Sequence, residues 1–122
     1  MARISQVMVL VAGLCLGGLA QGSSLTGIDF ASLPGDGTEI KLLFDAVPPE
    51  PRSYTIEQPA RIALDLHGVS NGLAEKNHPI SKGNTQSVTV LEASGRTRVI
   101  VNLVELVAYQ ATVVGNTLVL RL

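Results

Sequence analysis

Apolar and polar residues alternate with a period of two along much of this chain, most clearly from Arg61 to Leu66. Ile62, Leu64 and Leu66 fall on one face of this segment. Arg61 and Asp65 fall on the other face. Because successive side chains of a β-strand point to opposite sides, this alternation predicts a strand with one buried face.

The same pattern predicts eight strands joined mainly as hairpins, at 25–30, 39–45, 53–57, 61–66, 87–92, 97–103, 109–114 and 117–122. The segment 67–85 is predicted to be irregular, with at most one helical turn at 74–77. Beyond the first twenty residues no window has a convincing helical period of 3.6. We therefore expect an all-β fold: a small β-sandwich of about seven or eight mostly antiparallel strands built from hairpins, with a small barrel as the alternative.

Two of the predicted hairpins resemble each other. Ser53-Tyr-Thr-Ile56 precedes Arg61-Ile-Ala-Leu-Asp-Leu66, and Ser87-Val-Thr-Val90 precedes Arg98-Val-Ile-Val-Asn-Leu103. Both follow the pattern Ser-x-Thr-apolar, then Arg-apolar-x-apolar-Asp/Asn-Leu. Two interpretations stay open: a duplicated hairpin, with its copies in facing sheets, or chance similarity between strands rich in Val, Thr and Ile.

The amino-terminal segment predicts a secretory signal peptide at 1–20, followed by an exported domain at 21–122. Arg3 supplies a positive start, residues 7–20 are uncharged and apolar, and Gly18-Leu-Ala20 places small residues where a signal peptidase cleaves. An uncleaved membrane anchor is the alternative. Cys15, the single cysteine, falls inside the apolar run, so we expect no disulfide and no thiolate metal site in the exported domain. The apolar strand pattern runs to Leu122, and we expect this domain to be the amino-terminal part of a longer protein.

The charge and the motifs of the exported domain argue against several functions. Its net charge of −2, without a run of like charge, predicts no nucleic-acid or anionic-lipid surface. His67 and His78 with Glu75 would make a poor zinc site, and two solvated loop histidines are the more common interpretation. There is no Gly-x-Ser-x-Gly nucleophile motif and no phosphate-binding glycine loop. We therefore predict a non-enzyme without a cofactor or a metal.

Four polar residues on the outward faces of two predicted strands are the candidate ligand-binding residues: Arg61, Asp65, Arg98 and Asn102. The planar arginine fork suits carboxylates, while Asp and Asn exchange hydrogen bonds with hydroxyls and amides. This set suits a ligand made of sugars and short peptides with free carboxylates. The alternative is that these residues form cross-strand ion pairs worth a few tenths of a kcal/mol. Arg61 and Asp65 cannot pair within one strand, since four residues span about 13 Å.

Residues 25–122 resemble the AMIN domain family, above all the amino-terminal copy in the secretins of type IV pili. The resemblance is carried by Leu33-Pro-Gly-Asp-Gly37, Lys41-Leu-Leu-Phe-Asp45, the run from Tyr54 to Val69, Gly83-Asn-Thr-Gln-Ser-Val-Thr-Val90 and Arg96-Thr-Arg-Val-Ile-Val-Asn-Leu103.

This resemblance implies a periplasmic β-sandwich, associated with the outer membrane or the cell wall, that binds peptidoglycan and positions the pilus assembly machinery. Peptidoglycan and pilus assembly proteins are its implied partners. Membrane contact and oligomerisation would belong to the secretin part of the parent protein. Two other functions stay open: a protein-interaction module that docks pilus accessory proteins by strand addition, and the targeting domain of an N-acetylmuramoyl-L-alanine amidase.

Overall fold

The computed structural model describes residues 22–122, so the predicted signal peptide lies outside the described residues. The all-β prediction is confirmed, but the described residues form ten strands rather than seven or eight. A short 3-10 helix (Pro34–Asp36) connects the first two strands. The strands are β1 (Ser23–Leu33), β2 (Gly37–Phe44), β3 (Arg52–Glu57), β4 (Ala60–His67), β5 (Val69–Asn71), β6 (Asn77–Lys82), β7 (Thr85–Ala93), β8 (Arg96–Leu103), β9 (Gln110–Val114) and β10 (Thr117–Arg121).

The strands form two sheets of five. The first sheet has the order β5-β1-β2-β10-β9, and the second has the order β3-β4-β8-β7-β6. Neighbouring strands are antiparallel except for β1 and β5, which run parallel. No helix among residues 22–122 is long and apolar enough to cross a membrane.

The two additional strands, β5 and β6, lie in the segment that we expected to be irregular. β5 has only three residues, and its Val69 is buried against the core. β6 contains Pro79, which cannot donate to a sheet ladder, but β6 is an edge strand and therefore tolerates it. β5 pairs with β1, which is distant in sequence, and a bulge interrupts the pairing of β6 with β7. Local alternation therefore did not predict either strand.

The core lies between the two sheets and is almost entirely aliphatic. Alternate residues of β2, β4, β7, β8 and β10 are buried, as the alternation predicted, and Ile62, Leu64 and Leu66 of β4 are fully buried. Burial of a side chain of this size contributes about 1.5–3 kcal/mol relative to exposure. The other fully or almost fully buried apolar residues are Leu25, Ile40, Leu42, Phe44, Ala60, Ala63, Val69, Val88, Val90, Val99, Val101, Leu103, Leu118 and Leu120.

The three predicted hairpins β3–β4, β7–β8 and β9–β10 are all present. Ser94 and Gly95 both have positive φ in the β7–β8 turn, which suits the right-handed twist of a two-residue hairpin connection. The two similar hairpins, however, lie in the same sheet, so the expectation of facing sheets is wrong. β4 pairs directly with β8, and this pairing positions the candidate site.

Candidate functional site

The four predicted site residues lie together on the outer face of the second sheet, which is the side away from the core. The register sets Arg61 opposite Asn102 and Asp65 opposite Arg98 across the central strands β4 and β8. Because the alternate residues Val99 and Val101 of β8 are buried, Arg98 and Asn102 face outward. Directly opposite residues of an antiparallel pair share a face, with Cβ atoms about 5 Å apart.

This arrangement follows from the sequence similarity between β4 and β8. We call Arg61–Leu66 and Arg98–Leu103 the two hexapeptides. Antiparallel pairing sets position one of each hexapeptide opposite position five of the other. An arginine at position one therefore meets an acidic or amide residue at position five in both halves. The result is a local two-fold arrangement, centred where Ala63 lies opposite Ile100.

In one half of this arrangement the arginine is neutralised by the protein. Arg98 Nε donates to Asp65 Oδ1 at 2.7 Å, and Arg98 Nη2 donates to Asp65 Oδ2 at 3.1 Å. These hydrogen bonds from Arg98 hold the pKa of the Asp65 carboxyl below its usual value, against the opposing effect of desolvation. The same contact raises the pKa of Arg98. Here the predicted alternative, a cross-strand ion pair, is what the structure contains.

In the other half the arginine has no such partner. Position five is Asn102, whose Nδ2 donates to Ser87 Oγ at 3.0 Å and to Thr89 Oγ1 at 3.2 Å. Arg61 Nε is buried without a hydrogen-bond partner among the described residues. Arg61 also makes no ion pair within residues 22–122. The two halves therefore share a backbone arrangement but differ in charge.

The outer strands of the two hairpins are less equivalent than their sequences predict. Ser53 lies opposite position four of its hexapeptide, whereas Ser87 lies opposite position five. A shift of one residue moves side chains to the other face of a sheet. Ser87 and Thr89 consequently face outward beside Asn102, while β3 places Tyr54 on the outer face instead.

Tyr54 contributes an aromatic ring to the outer face. It lies opposite Ala63, and 42% of its surface is exposed. The Arg98 guanidinium lies over this ring, 5.7 Å from its centroid, at a distance suited to a cation–π contact. The ring therefore packs beside the neutralised end of the site and leaves part of its surface open to solvent.

Two further arginines, which the sequence reasoning missed, extend this face. Arg52 lies opposite Asp65, and Arg96 lies opposite His67. The outward positions of β3, β4, β8 and β7 thus carry four arginines and one carboxylate, a net charge of +3. The two-residue period, continued back from Arg98, would have placed Arg96 there, whereas the position of Arg52 depends on the register of β3. We call this outer surface of the second sheet the arginine face.

The outer surface of the first sheet is different, because its charges balance. Asp29 and Lys41 lie opposite each other, and Arg121 Nε donates to Glu39 Oε2 at 2.9 Å. Lys41 Nζ lies 4.0 Å from Glu39 Oε1. Two bases and two acids leave this surface neutral, so the positive charge is confined to the second sheet.

The two histidines do not meet. His67 ends β4 and His78 lies on β6, and these strands are separated by three strand spacings, or about 14 Å. His78 Nε2 instead lies 2.9 Å from the backbone oxygen of Glu75. No cluster of three or more potential metal ligands occurs among the described residues. The zinc arrangement of His67, His78 and Glu75 therefore has no structural basis.

Comparison with known proteins identifies the family. The sequence pattern described as "AMIN domain" matches residues 27–122. This chain belongs to the AMIN domain family. Among characterised relatives, it is 57% identical over 96 residues to a protein named fimbrial assembly protein PilQ from Pseudomonas aeruginosa. The alignment covers 79% of this chain but 13% of that relative, so the chain spans about an eighth of its length.

The matched range contains the whole second sheet, so the arginine face is part of the AMIN domain. One end of this face has a shallow depression of about 140 Å³, lined by Leu91, Ala93, Arg96 and Arg98. The surface is otherwise formed by a broad, gently twisted sheet. Such a surface suits an extended polymer with acidic groups more than a small enclosed substrate.

Proposed function

We propose that this AMIN domain is a non-catalytic module of the periplasm that binds peptidoglycan and so localises a type IV pilus secretin in the cell envelope. The observation that carries this proposal is the arginine face, with a net charge of +3 on a domain whose net charge is negative. Membership of the AMIN family and the similarity to a fimbrial assembly protein support the setting.

The chemistry of the face matches the chemistry of the wall. Peptidoglycan consists of sugar strands carrying short peptides that end in free carboxylates. Arginine holds carboxylates through paired hydrogen bonds, and exposed aromatic rings offer a stacking surface for sugars. In this proposal Arg61 and Asn102 contact the ligand, Arg98 offers the guanidinium hydrogens that Asp65 leaves free, and Asp65 fixes the orientation of Arg98. Arg52, Arg96 and Tyr54 extend the same contact surface.

Binding to the wall would position the parent protein. An exported domain held on peptidoglycan places a following secretin region beside the outer membrane and brings it to the pilus assembly proteins. Oligomerisation and membrane contact would then be properties of the parent protein. The domain itself supplies location without catalysis.

A retention assay on isolated peptidoglycan sacculi tests this proposal with a matched pair of variants. Arg61→Gln with Arg96→Gln removes two positive charges from the arginine face. Lys41→Gln with Arg121→Gln removes two from the outer surface of the first sheet. We expect the first variant to lose at least about tenfold in retention and the second to stay near wild type, because binding depends on where the charge lies. Equal retention of both variants would contradict the arginine face as the binding surface.

A protein-interaction module is the second candidate, and the β3 edge is the observation that favours it. β3 pairs with β4 on one side only, and five of its six residues are exposed. Exposed edges of this kind accept an added strand from a partner. Wild-type retention in the Arg61→Gln, Arg96→Gln variant would favour this function. Determining the coding sequence downstream of codon 122 distinguishes a secretin from the amidase alternative.

A further inference from the structure

We infer that Arg61 is a subsite for a ligand carboxylate, which takes the place of the internal carboxylate that its half of the sheet lacks. This inference rests on the proposed function, since it names the chemical group of the wall that the arginine face would bind. It also makes a claim about this chain's own residues that a soluble probe can test separately.

The local two-fold arrangement is the first argument. In the half containing Arg98, the protein supplies a carboxylate from position five, and two hydrogen bonds of 2.7 and 3.1 Å hold it. In the half containing Arg61, position five is Asn102. Asparagine has nearly the shape of aspartate but no charge, so the same backbone arrangement lacks one carboxylate.

The hydrogen bonding of Asn102 is the second argument. Its Nδ2 group is already held by Ser87 Oγ and Thr89 Oγ1, which turns the amide donor away from Arg61. The residue is therefore fixed by its own partners and does not neutralise the arginine. Aspartate at this position would accept a hydrogen bond from Ser87 Oγ, whereas the Thr89 hydroxyl already donates to Asn77 Oδ1 at 3.0 Å.

The state of Arg61 is the third argument. Its Nε is buried and has no acceptor, so a ligand has no access to the Nε side of the guanidinium. Its two Nη atoms make no hydrogen bond within the described residues and are absent from the buried groups, so solvent reaches them. An arginine held at its stem, with an open guanidinium end, can bind a carboxylate end-on through both Nη atoms. The neighbouring outward residue on β3 is Ile56, which adds no competing acid.

The decisive variant is Asn102→Asp, which supplies the missing carboxylate from inside the protein. We expect this variant to melt at or above the wild-type temperature, because Arg61 gains a partner, and to lose about tenfold in sacculus retention. In an Arg61→Gln background the same change should have little further effect, since there is no arginine left to neutralise. An equal loss in both backgrounds would mean that Asn102→Asp acts through general charge, and it would overturn the inference.

Asn116→Asp is the matched control. It adds the same charge in the β9–β10 turn of the first sheet, away from the arginine face, so retention should stay near the wild-type level. A loss as large as that of Asn102→Asp would contradict the assignment. Sacculi whose carboxyl groups have been converted to amides should retain wild-type protein about tenfold less than untreated sacculi. Undiminished retention on the amidated sacculi would overturn the carboxylate as the bound group.

A soluble probe separates this inference from the proposed function. The Arg61 Nε–H resonance of the wild-type protein is followed by NMR during titration with acetyl-alanyl-alanine and, as control, with its carboxy-terminal amide. A shift with the acid alone supports the subsite even if sacculi are not retained. No shift with either compound overturns the subsite even if sacculi are retained through other residues.

Discussion

Breaking the Asp65–Arg98 pair should reveal a coupling of about 2 kcal/mol in the free energy of unfolding. Exposed ion pairs contribute about 0.2–1 kcal/mol, whereas removing one partner from a buried pair costs about 3–5 kcal/mol. This pair lies between these limits, because 11% of the Asp65 side chain and 34% of the Arg98 side chain are exposed. Its two charge-assisted hydrogen bonds favour the upper part of this range, whereas solvent screening of the partly exposed arginine lowers the expected coupling.

The single variants should be unequal. Arg98→Met leaves the Asp65 carboxylate largely buried without a counter-charge and removes the cation–π contact with Tyr54, so we expect a cost of about 3 kcal/mol. Asp65→Asn keeps an acceptor for Arg98 and should cost about 1–2 kcal/mol. The double variant should be no less stable than Arg98→Met alone, since it no longer contains an unpaired charge.

Urea unfolding of the purified protein and its three variants at pH 7, followed by circular dichroism, measures this coupling as a double-mutant cycle. Unchanged dependence of stability on urea concentration would show that the variants unfold from comparable native states. A coupling below about 0.5 kcal/mol would refute the reasoning, because the pair would then behave as an ordinary surface contact.

Three further predictions concern stability. The pKa of Asp65 is lowered in the folded protein, so its carboxylate stabilises the fold fully above the usual value of 3.8. The difference in unfolding free energy between wild type and Asp65→Asn should therefore shrink as the pH falls below 3.8 towards the lowered pKa, and urea unfolding between pH 2.5 and 7 measures it. Leu64→Ala should cost about 3 kcal/mol in the same assay, because Leu64 is fully buried between the sheets and a cavity would remain. Asn84→Ala should lower the melting temperature by about 5 °C, since Asn84 exchanges hydrogen bonds of 2.7 and 2.9 Å with the backbone of Glu105. A melting temperature equal to that of wild type would contradict this role of Asn84.

Local alternation predicted eight of the ten strands and the core because it depends only on which residues lie inside. Ile62, Leu64 and Leu66 are buried whatever sheet β4 joins, so a single strand sufficed for that prediction. Strands β5 and β6 are different, since their pairing partners define them more than their own residues do. The sheet containing each hairpin likewise depends on long-range packing, and this is where the expectation of facing sheets failed.

The candidate site was predictable as a set of residues but not as a set of interactions. Alternation placed Arg61, Asp65, Arg98 and Asn102 on outward faces, and the structure brings them together. Which arginine meets the carboxylate depends on strand register, and a shift of one residue would move the side chains to the other face. The same sensitivity explains the outer strands, where similar sequences place Ser53 and Ser87 on different faces.

The pairing of the two hexapeptides connects the fold to the proposed binding. A segment with arginine at position one and an acid at position five is self-complementary in antiparallel pairing, because each arginine meets the acid of the other copy. Asp65 completes this complementarity at one end, and Asn102 leaves it incomplete at the other. The two ends lie four residues apart along the strand, about 13 Å, which is beyond the range at which changes usually couple. One sequence pattern thus serves stability at the Asp65 end and leaves a charge available at the Arg61 end, so substitutions at the two ends should affect different measurements.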